Sequence, residues 1–125
     1  MAKKIKKKKV LIVEDDISMS KALSFSLAQE GFDIKTIFNG ENVVSKVNEE
    51  NFDLILLDLV MPKVDGWQVF QDVHDNNITT PIMVISNLGQ EHHIKRAKDL
   101  GAVDYFIKST SSLADIIEKI KKFFK

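Results

Sequence analysis

Short runs in which every residue is apolar constrain this chain more than any other feature. Val10-Leu11-Ile12-Val13, Leu54-Ile55-Leu56-Leu57 and Ile82-Met83-Val84-Ile85 show no alternation with polar residues. A strand with one wet face alternates, whereas a strand apolar throughout is buried on both faces, as in a parallel sheet. The strand around Leu54–Leu57 is expected to start at Phe52, and the one around Ile82–Ile85 at Pro81. Two weaker runs, Phe32–Phe38 and Val103–Ile107, bring the strand candidates to five.

Between and after these runs the apolar residues recur at helical spacing. Leu23 and Leu27 mark Ile17–Glu30; Val43, Val44 and Val47 mark a second helix; Trp67, Val69, Phe70 and Val73 mark a third that runs to about Asn76. Gln90–Leu100 is mostly polar, with Ile94, Ala97 and Leu100 expected to face inward, which predicts a loosely packed helix. The last helix carries Leu113, Ile116, Ile117, Ile120 and Phe124, opens on a capping Ser/Thr run, and offers Asp115–Lys119 and Glu118–Lys122 pairs on its outer face. Asp16 or Ser18 suits the cap of the first helix, and Gly31 and Gly101 suit helix stops.

Strict strand–helix alternation predicts an α/β fold: a flavodoxin-like (βα)5 three-layer sandwich with a parallel five-stranded sheet in the order 2-1-3-4-5. Residues 10–125 form one domain behind a basic tail, residues 1–9, in which six lysines surround Ile5 and read as a solvated run. Equal numbers of cationic and anionic side chains, 18 each, leave no global field for nucleic acid. The absence of cysteine excludes disulfides, thiol catalysis and cysteine-ligated metals. The apolar runs fall far short of a membrane span, and only Val10–Val13 separate the lysines from Glu14-Asp15-Asp16, too few for a signal peptide. A cytoplasmic protein is expected.

The residues leaving the strands supply the chemistry. Strand one ends on Glu14-Asp15-Asp16, strand three on Asp58, strand four on Ser86 and strand five on Lys108. In the expected order, strands one and three flank the switch point at which such sheets bind ligands. Carboxylates gathered there repel one another, and one lysine does not balance them. A divalent cation does. An all-oxygen set suits Mg²⁺, with Mn²⁺ as a substitute, whereas Zn²⁺ wants His or Cys. A carboxylate, a divalent cation, a lysine and a hydroxyl around one point suit phosphoryl transfer, with Asp58 free to act as the nucleophile.

With VEDD after strand one, LLDLVMPKVDG around Asp58, VIS at the end of strand four and DYFIK at strand five, the sequence resembles a response-regulator receiver domain from Val10 to Phe124. The resemblance makes Asp58 the phosphorylated aspartate of a two-component system. It implies Asp15 as a direct Mg²⁺ ligand, Glu14 as a ligand through water, and the Val60 backbone carbonyl as the remaining protein ligand. Ser86 resembles the switch hydroxyl, Tyr105 the aromatic that changes rotamer with it, and Lys108 the ion-pairing lysine. Met61-Pro62 and Asp65-Gly66 match the loop that shapes the pocket. Two positions depart from the family pattern. Lys108 is followed by Ser109 where the family has a proline after a cis bond; cis before serine costs about 2.5–4 kcal/mol against roughly 0.5–1 before proline. A trans bond or a reshaped loop is expected. Asn87 stands where the family carries a small residue, close enough to crowd or hydrogen-bond a phosphoryl group.

The resemblance implies a switch rather than an enzyme with external substrates, and with no output domain after Lys125 a stand-alone one is expected. Its phosphodonor is a histidine kinase or a histidine phosphotransfer protein, and its readout surface is helix four, strand five and helix five. Direct nucleic-acid binding is not expected; a monomer or a phosphorylation-dependent dimer is. The alternative is a pseudo-receiver, an interaction module that is not phosphorylated. A dehalogenase-like phosphatase wants a second acid two residues after the nucleophile, where Val60 stands, and a flavodoxin wants a Ser/Thr/Gly-rich loop after strand one. His92-His93 read as a solvated pair, since neighbouring helix positions diverge by about 100°. Trp67 reads as packing beside the acceptor loop, with fluorescence that responds to Mg²⁺.

Overall fold

The computed structural model describes residues 7–125. Residues 1–6 of the expected basic tail lie outside this range. Five strands, β1 (Lys9–Val13), β2 (Asp33–Ile37), β3 (Leu54–Leu57), β4 (Ile82–Ser86) and β5 (Asp104–Ile107), form one sheet in the order β2-β1-β3-β4-β5. All pairings are parallel. Five helices alternate with them: α1 (Ile17–Gln29), α2 (Val43–Glu49) after a 3₁₀ turn at Gly40–Asn42, α3 (Gly66–Asp75), α4 (Glu91–Asp99) and α5 (Leu113–Phe123).

The unbroken apolar strands are explained by two separate cores. Leu11, Val13, Ile55, Leu57, Ile82 and Val84 face Val43, Val69, Phe70, Val73 and Ala97, so α2, α3 and α4 cover one side of the sheet. The alternate residues Val10, Ile12, Leu54, Leu56, Met83 and Ile85 face Leu23, Leu27, Ile116, Ile117 and Ile120 from α1 and α5. Successive side chains of a strand point to opposite faces, so both parities must be apolar when both faces are covered. At about 1.5–3 kcal/mol per fully buried aliphatic side chain, β1, β3 and β4 carry much of the driving force.

Local signals set the helix ends. The Asp16 side chain, not Ser18, caps α1 by accepting from the Met19 amide; Asp65 caps α3 and Ser112 caps α5 in the same way. Gly31 and Gly101 take φ values of 94° and 109°, the left-handed turn that ends α1 and α4.

Several details differ from the sequence reading. Lys9 belongs to β1 rather than to the tail, its amide bonded to Asp53 and its ammonium 2.8 Å from Glu50. β2 is a half-buried edge strand that excludes Phe32 and Phe38, because one flank meets no neighbour. Val103 is 46% exposed and precedes β5. On α4 only Ala97 is fully buried, and Leu100 is 47% exposed, because the helix ends at Asp99 and Leu100 forms its cap. Among the described residues neither Asp115–Lys119 nor Glu118–Lys122 closes to an ion pair; Lys121 instead approaches Glu30, the C-cap of α1, at 3.7 Å. Solvent competes well for exposed pairs, so favourable spacing alone does not close them.

Candidate functional site

Strand pairing carries the functional residues into register. The Asp58 amide donates to the Val13 carbonyl at 2.9 Å, one step beyond the β1–β3 ladder, and the Lys108 amide donates to the Ser86 carbonyl at 2.9 Å, one step beyond β4–β5. The Glu14 amide reaches the Ile37 carbonyl of β2 at 3.1 Å. Each strand end is thus fixed to its neighbour, and the side chains that follow meet at the carboxyl edge of the sheet.

Glu14 and Asp58 are buried, at 0% and 2% exposure, while Asp15 is exposed at the mouth. Carboxylate oxygens of all three lie within 4.8 Å of one another. Lys108 is the cation among them. Its Nζ donates to Asp58 Oδ2 at 3.3 Å and stands 2.5 Å from Glu14 Oε1. The second contact is close in distance but lacks hydrogen-bond geometry, so Glu14 Oε1 is a buried oxygen without a hydrogen-bond donor. Its partner oxygen, Oε2, accepts from the Asp16 amide at 3.3 Å. Burial, then the neighbouring Asp58, pushes the Glu14 carboxyl up to about 7, while Lys108 pulls the other way. Burial would lower the Lys108 ammonium, but its contacts with Glu14 and Asp58 outweigh burial and hold it above the usual lysine value.

One lysine facing three carboxyl groups leaves the cluster short of positive charge. That deficit fits a hard divalent cation held by oxygen ligands. No histidine joins the cluster, so the donor set suits Mg²⁺ or Mn²⁺ better than Zn²⁺. Val60 lies beside it. Its amide donates to Asp58 Oδ1 at 3.2 Å, and its side chain, 57% exposed, leaves the mouth open.

The loop between β3 and α3 is held close to the acceptor. The Gly66 amide donates to the Leu59 carbonyl at 2.9 Å, and a Cβ on Gly66 would come within 2.6 Å of both the Asp58 carbonyl oxygen and Leu59 Cα. Only glycine permits that approach. Lys63, in the same loop, holds φ at 67°, an uncommon conformation for a residue with a side chain.

Ser86 is fully buried at the end of β4, and its Oγ accepts from the Leu88 amide at 3.1 Å. The Tyr105 hydroxyl donates to the Leu88 carbonyl, so the half-buried ring on β5 is tied to the loop between β4 and α4. Burial pushes the Tyr105 phenol up, against a weaker pull from Ser86. Lys108–Ser109 is a trans bond, and Lys108 reaches Asp58 regardless. Asn87 is exposed. The His92 and His93 rings do not diverge into solvent as expected; their centroids are 4.0 Å apart, and His93, half-buried, turns toward Trp67.

The structure therefore brings together Glu14, Asp15, Asp58, Val60 and Lys108, with Ser86 and Tyr105 linked in the adjoining loop. Sequence reasoning missed Leu88. It acts through its backbone amide and carbonyl, and no side-chain chemistry marks such a position.

Comparison with known proteins points to one family. A family model for the response regulator receiver domain matches residues 10–121. The chain is 32% identical over 118 residues to the transcriptional regulatory protein CrdR of Helicobacter pylori, covering 94% of this chain and 55% of that protein. It is 34% identical over 104 residues to the alkaline phosphatase synthesis transcriptional regulatory protein PhoP of Bacillus subtilis, covering 83% and 43%. The chain spans about half the length of the curated relatives it matches. Among solved structures, the receiver domain of Francisella response regulator 1452 is similar with a TM-score of 0.86 at 26% identity, covering 94% of this chain and 99% of that one.

Proposed function

The chain belongs to the response-regulator receiver family, and from that premise we propose that Asp58 is its phosphoacceptor and that residues 10–125 form a switch thrown by the aspartyl phosphate. Domains of this family are phosphorylation switches of two-component systems. The observation that carries the assignment is the position of Asp58: buried, at the carboxyl edge of the sheet, beside two further carboxylates and 3.3 Å from Lys108.

An Asp58 carboxylate oxygen attacks the phosphorus of a phosphohistidine on a histidine kinase or histidine phosphotransfer protein. The O–P bond forms, the P–N bond breaks, and the imidazole nitrogen leaves with the electron pair. Asp15, Asp58, the Val60 carbonyl and Glu14 are the groups that would hold a divalent cation. Mg²⁺ there supplies positive charge against the phosphoryl oxygens. Lys108 already faces Asp58 and turns its ammonium to a phosphoryl oxygen. The Ser86 hydroxyl accepts from Leu88, so its own proton is free to donate. Drawing Ser86 toward the phosphoryl group moves the loop that also holds Tyr105 through Leu88, and with it the surface of α4, β5 and α5. Attack of water on phosphorus later breaks the same O–P bond, releases phosphate and restores Asp58. The domain serves its own phosphorylation cycle in the cytoplasm.

Ser109 and Asn87, the two departures from the family pattern, are the positions on which a pseudo-receiver would rest. A trans Lys108–Ser109 bond with Lys108 in reach of Asp58, and an exposed Asn87, favour the phosphorylated reading instead. Intact-protein mass spectrometry after treatment with acetyl phosphate and Mg²⁺ tests it. One phosphoryl adduct is expected on wild type and none on Asp58→Asn. An adduct that persists in Asp58→Asn removes Asp58 from this role, and no adduct on either protein favours the pseudo-receiver.

A further inference from the structure

α4 is held to the body of the protein by little apolar surface. Ala97 is its one fully buried residue, and the Leu100 cap is exposed. Its other restraint is Trp67 of α3. The guanidinium carbon of Arg96 sits 4.1 Å from the indole centroid, and the His93 ring lies 6.2 Å from the same indole, backed by His92. Arg96 and Trp67 are the sole arginine and the sole tryptophan of the chain, so the one planar cation among 18 basic side chains faces the strongest cation–π acceptor available. Among the described residues Arg96 forms no ion pair that would hold it elsewhere.

Trp67 is a rigid anchor for this contact. It follows Gly66, whose amide is bonded to Leu59 and whose backbone lies against Asp58 and Leu59 too closely for any side chain. The amino end of α4 emerges from the loop in which Leu88 bonds Ser86 Oγ and Tyr105. α4 is therefore tied at two points: to the acceptor loop through Trp67, and to the switch hydroxyl through its own entry loop. In the arrangement observed, Ser86 is committed to Leu88 and the Trp67–Arg96 stack is closed.

We propose that the Trp67–Arg96 stack is a latch that holds α4 in the resting arrangement, opens when the entry loop is drawn toward Asp58, and so sets how much driving force the switch needs. The idea rests on the reading of Asp58 as phosphoacceptor. Arg96 is a positioning residue in it, remote from the reacting atoms. A stack of this kind favours the closed form by about 2- to 30-fold, and a two-state equilibrium moves by the same factor when it is lost.

The test uses the full chain as wild type, Arg96→Lys and Arg96→Ala. Amide hydrogen exchange is followed across residues 91–99 without ligand, and again during titration with Mg²⁺ and beryllofluoride, an aspartyl-phosphate mimic. The exposed position of Arg96 leaves the fold intact in both variants. Without ligand, Arg96→Ala is expected to speed exchange in α4 several-fold while β1 and β3 are unchanged, with Arg96→Lys in between. The beryllofluoride concentration for half-conversion is expected to fall by a similar factor, a shift that a merely structural contact would not produce. Equal exchange in all three proteins, or a half-conversion concentration that is unchanged or raised, overturns the latch. If wild type ignores beryllofluoride, the phosphoacceptor reading is what fails, and exchange without ligand still decides whether Arg96 restrains α4.

Discussion

Replacing Glu14 by glutamine isolates the electrostatic load that the site carries without a metal. In the folded protein, burial first and then Asp58 raise the Glu14 carboxyl from 4.5 to about 7, because Lys108 only partly compensates. An acid whose folded-state pKa lies above its unfolded value binds more protons when folded. Its contribution to stability is thus full below pH 4.5 and is lost as the pH rises to about 7. At roughly 1.4 kcal/mol for each pKa unit, the folded state gives up about 3 kcal/mol across that window. Glutamine does not ionise and is spared the loss. Urea unfolding with a chelator present is expected to find Glu14→Gln gaining on wild type between pH 5 and pH 8 by up to about 3 kcal/mol, or roughly 1–3 M in midpoint. Saturating Mg²⁺ at pH 8 should restore wild type and help the variant less, and Mg²⁺ binding near pH 6.5 should release a proton from wild type alone. A stability difference that is constant from pH 5 to pH 8 would refute the argument, because it would mean that Glu14 is already fully compensated by Lys108.

Three further outcomes follow from the geometry. Lys108→Ala leaves Glu14 and Asp58 without their cation; calorimetry at pH 8 with chelator should register a loss of about 1–3 kcal/mol, largely recovered by Mg²⁺, and phosphoryl uptake from acetyl phosphate should fall at least tenfold. Gly66→Ala drives a Cβ into the Asp58 and Leu59 backbone, so denaturant unfolding should show a loss of about 1–3 kcal/mol, and titration of Trp67 fluorescence should show weaker Mg²⁺ binding. Lys63→Gly removes the left-handed strain at φ 67° and should raise the unfolding free energy by up to ~1 kcal/mol, with Mg²⁺ affinity unchanged.

The layering of this protein was legible in its residues. Val10–Val13, Leu54–Leu57 and Ile82–Ile85 are apolar at both parities, which only two-sided burial explains, and the alternation with helices leaves one common strand order. The place of the site followed from the same pattern, since Glu14, Asp58, Ser86 and Lys108 each end an apolar run and parallel strands end together. Caps were also readable, as at Asp16 and Ser112, because their hydrogen bonds span only three residues.

Tertiary packing alone decided the rest. Periodicity names a helix face but not its depth, so Leu100, on the apolar face of its helix, is exposed. Spacing four residues apart permits an ion pair without deciding it: Lys95–Asp99 closes at 2.9 Å, whereas Asp115–Lys119 and Glu118–Lys122 stay open. The stack of Arg96 on Trp67, the Leu88 link between Ser86 and Tyr105, and the reach of Lys108 to Asp58 across 50 residues depend on distances that form only when the helices dock. Even the state of Glu14 is a tertiary property: its chemistry is written in the chain, but its raised pKa arises from burial beside Asp58.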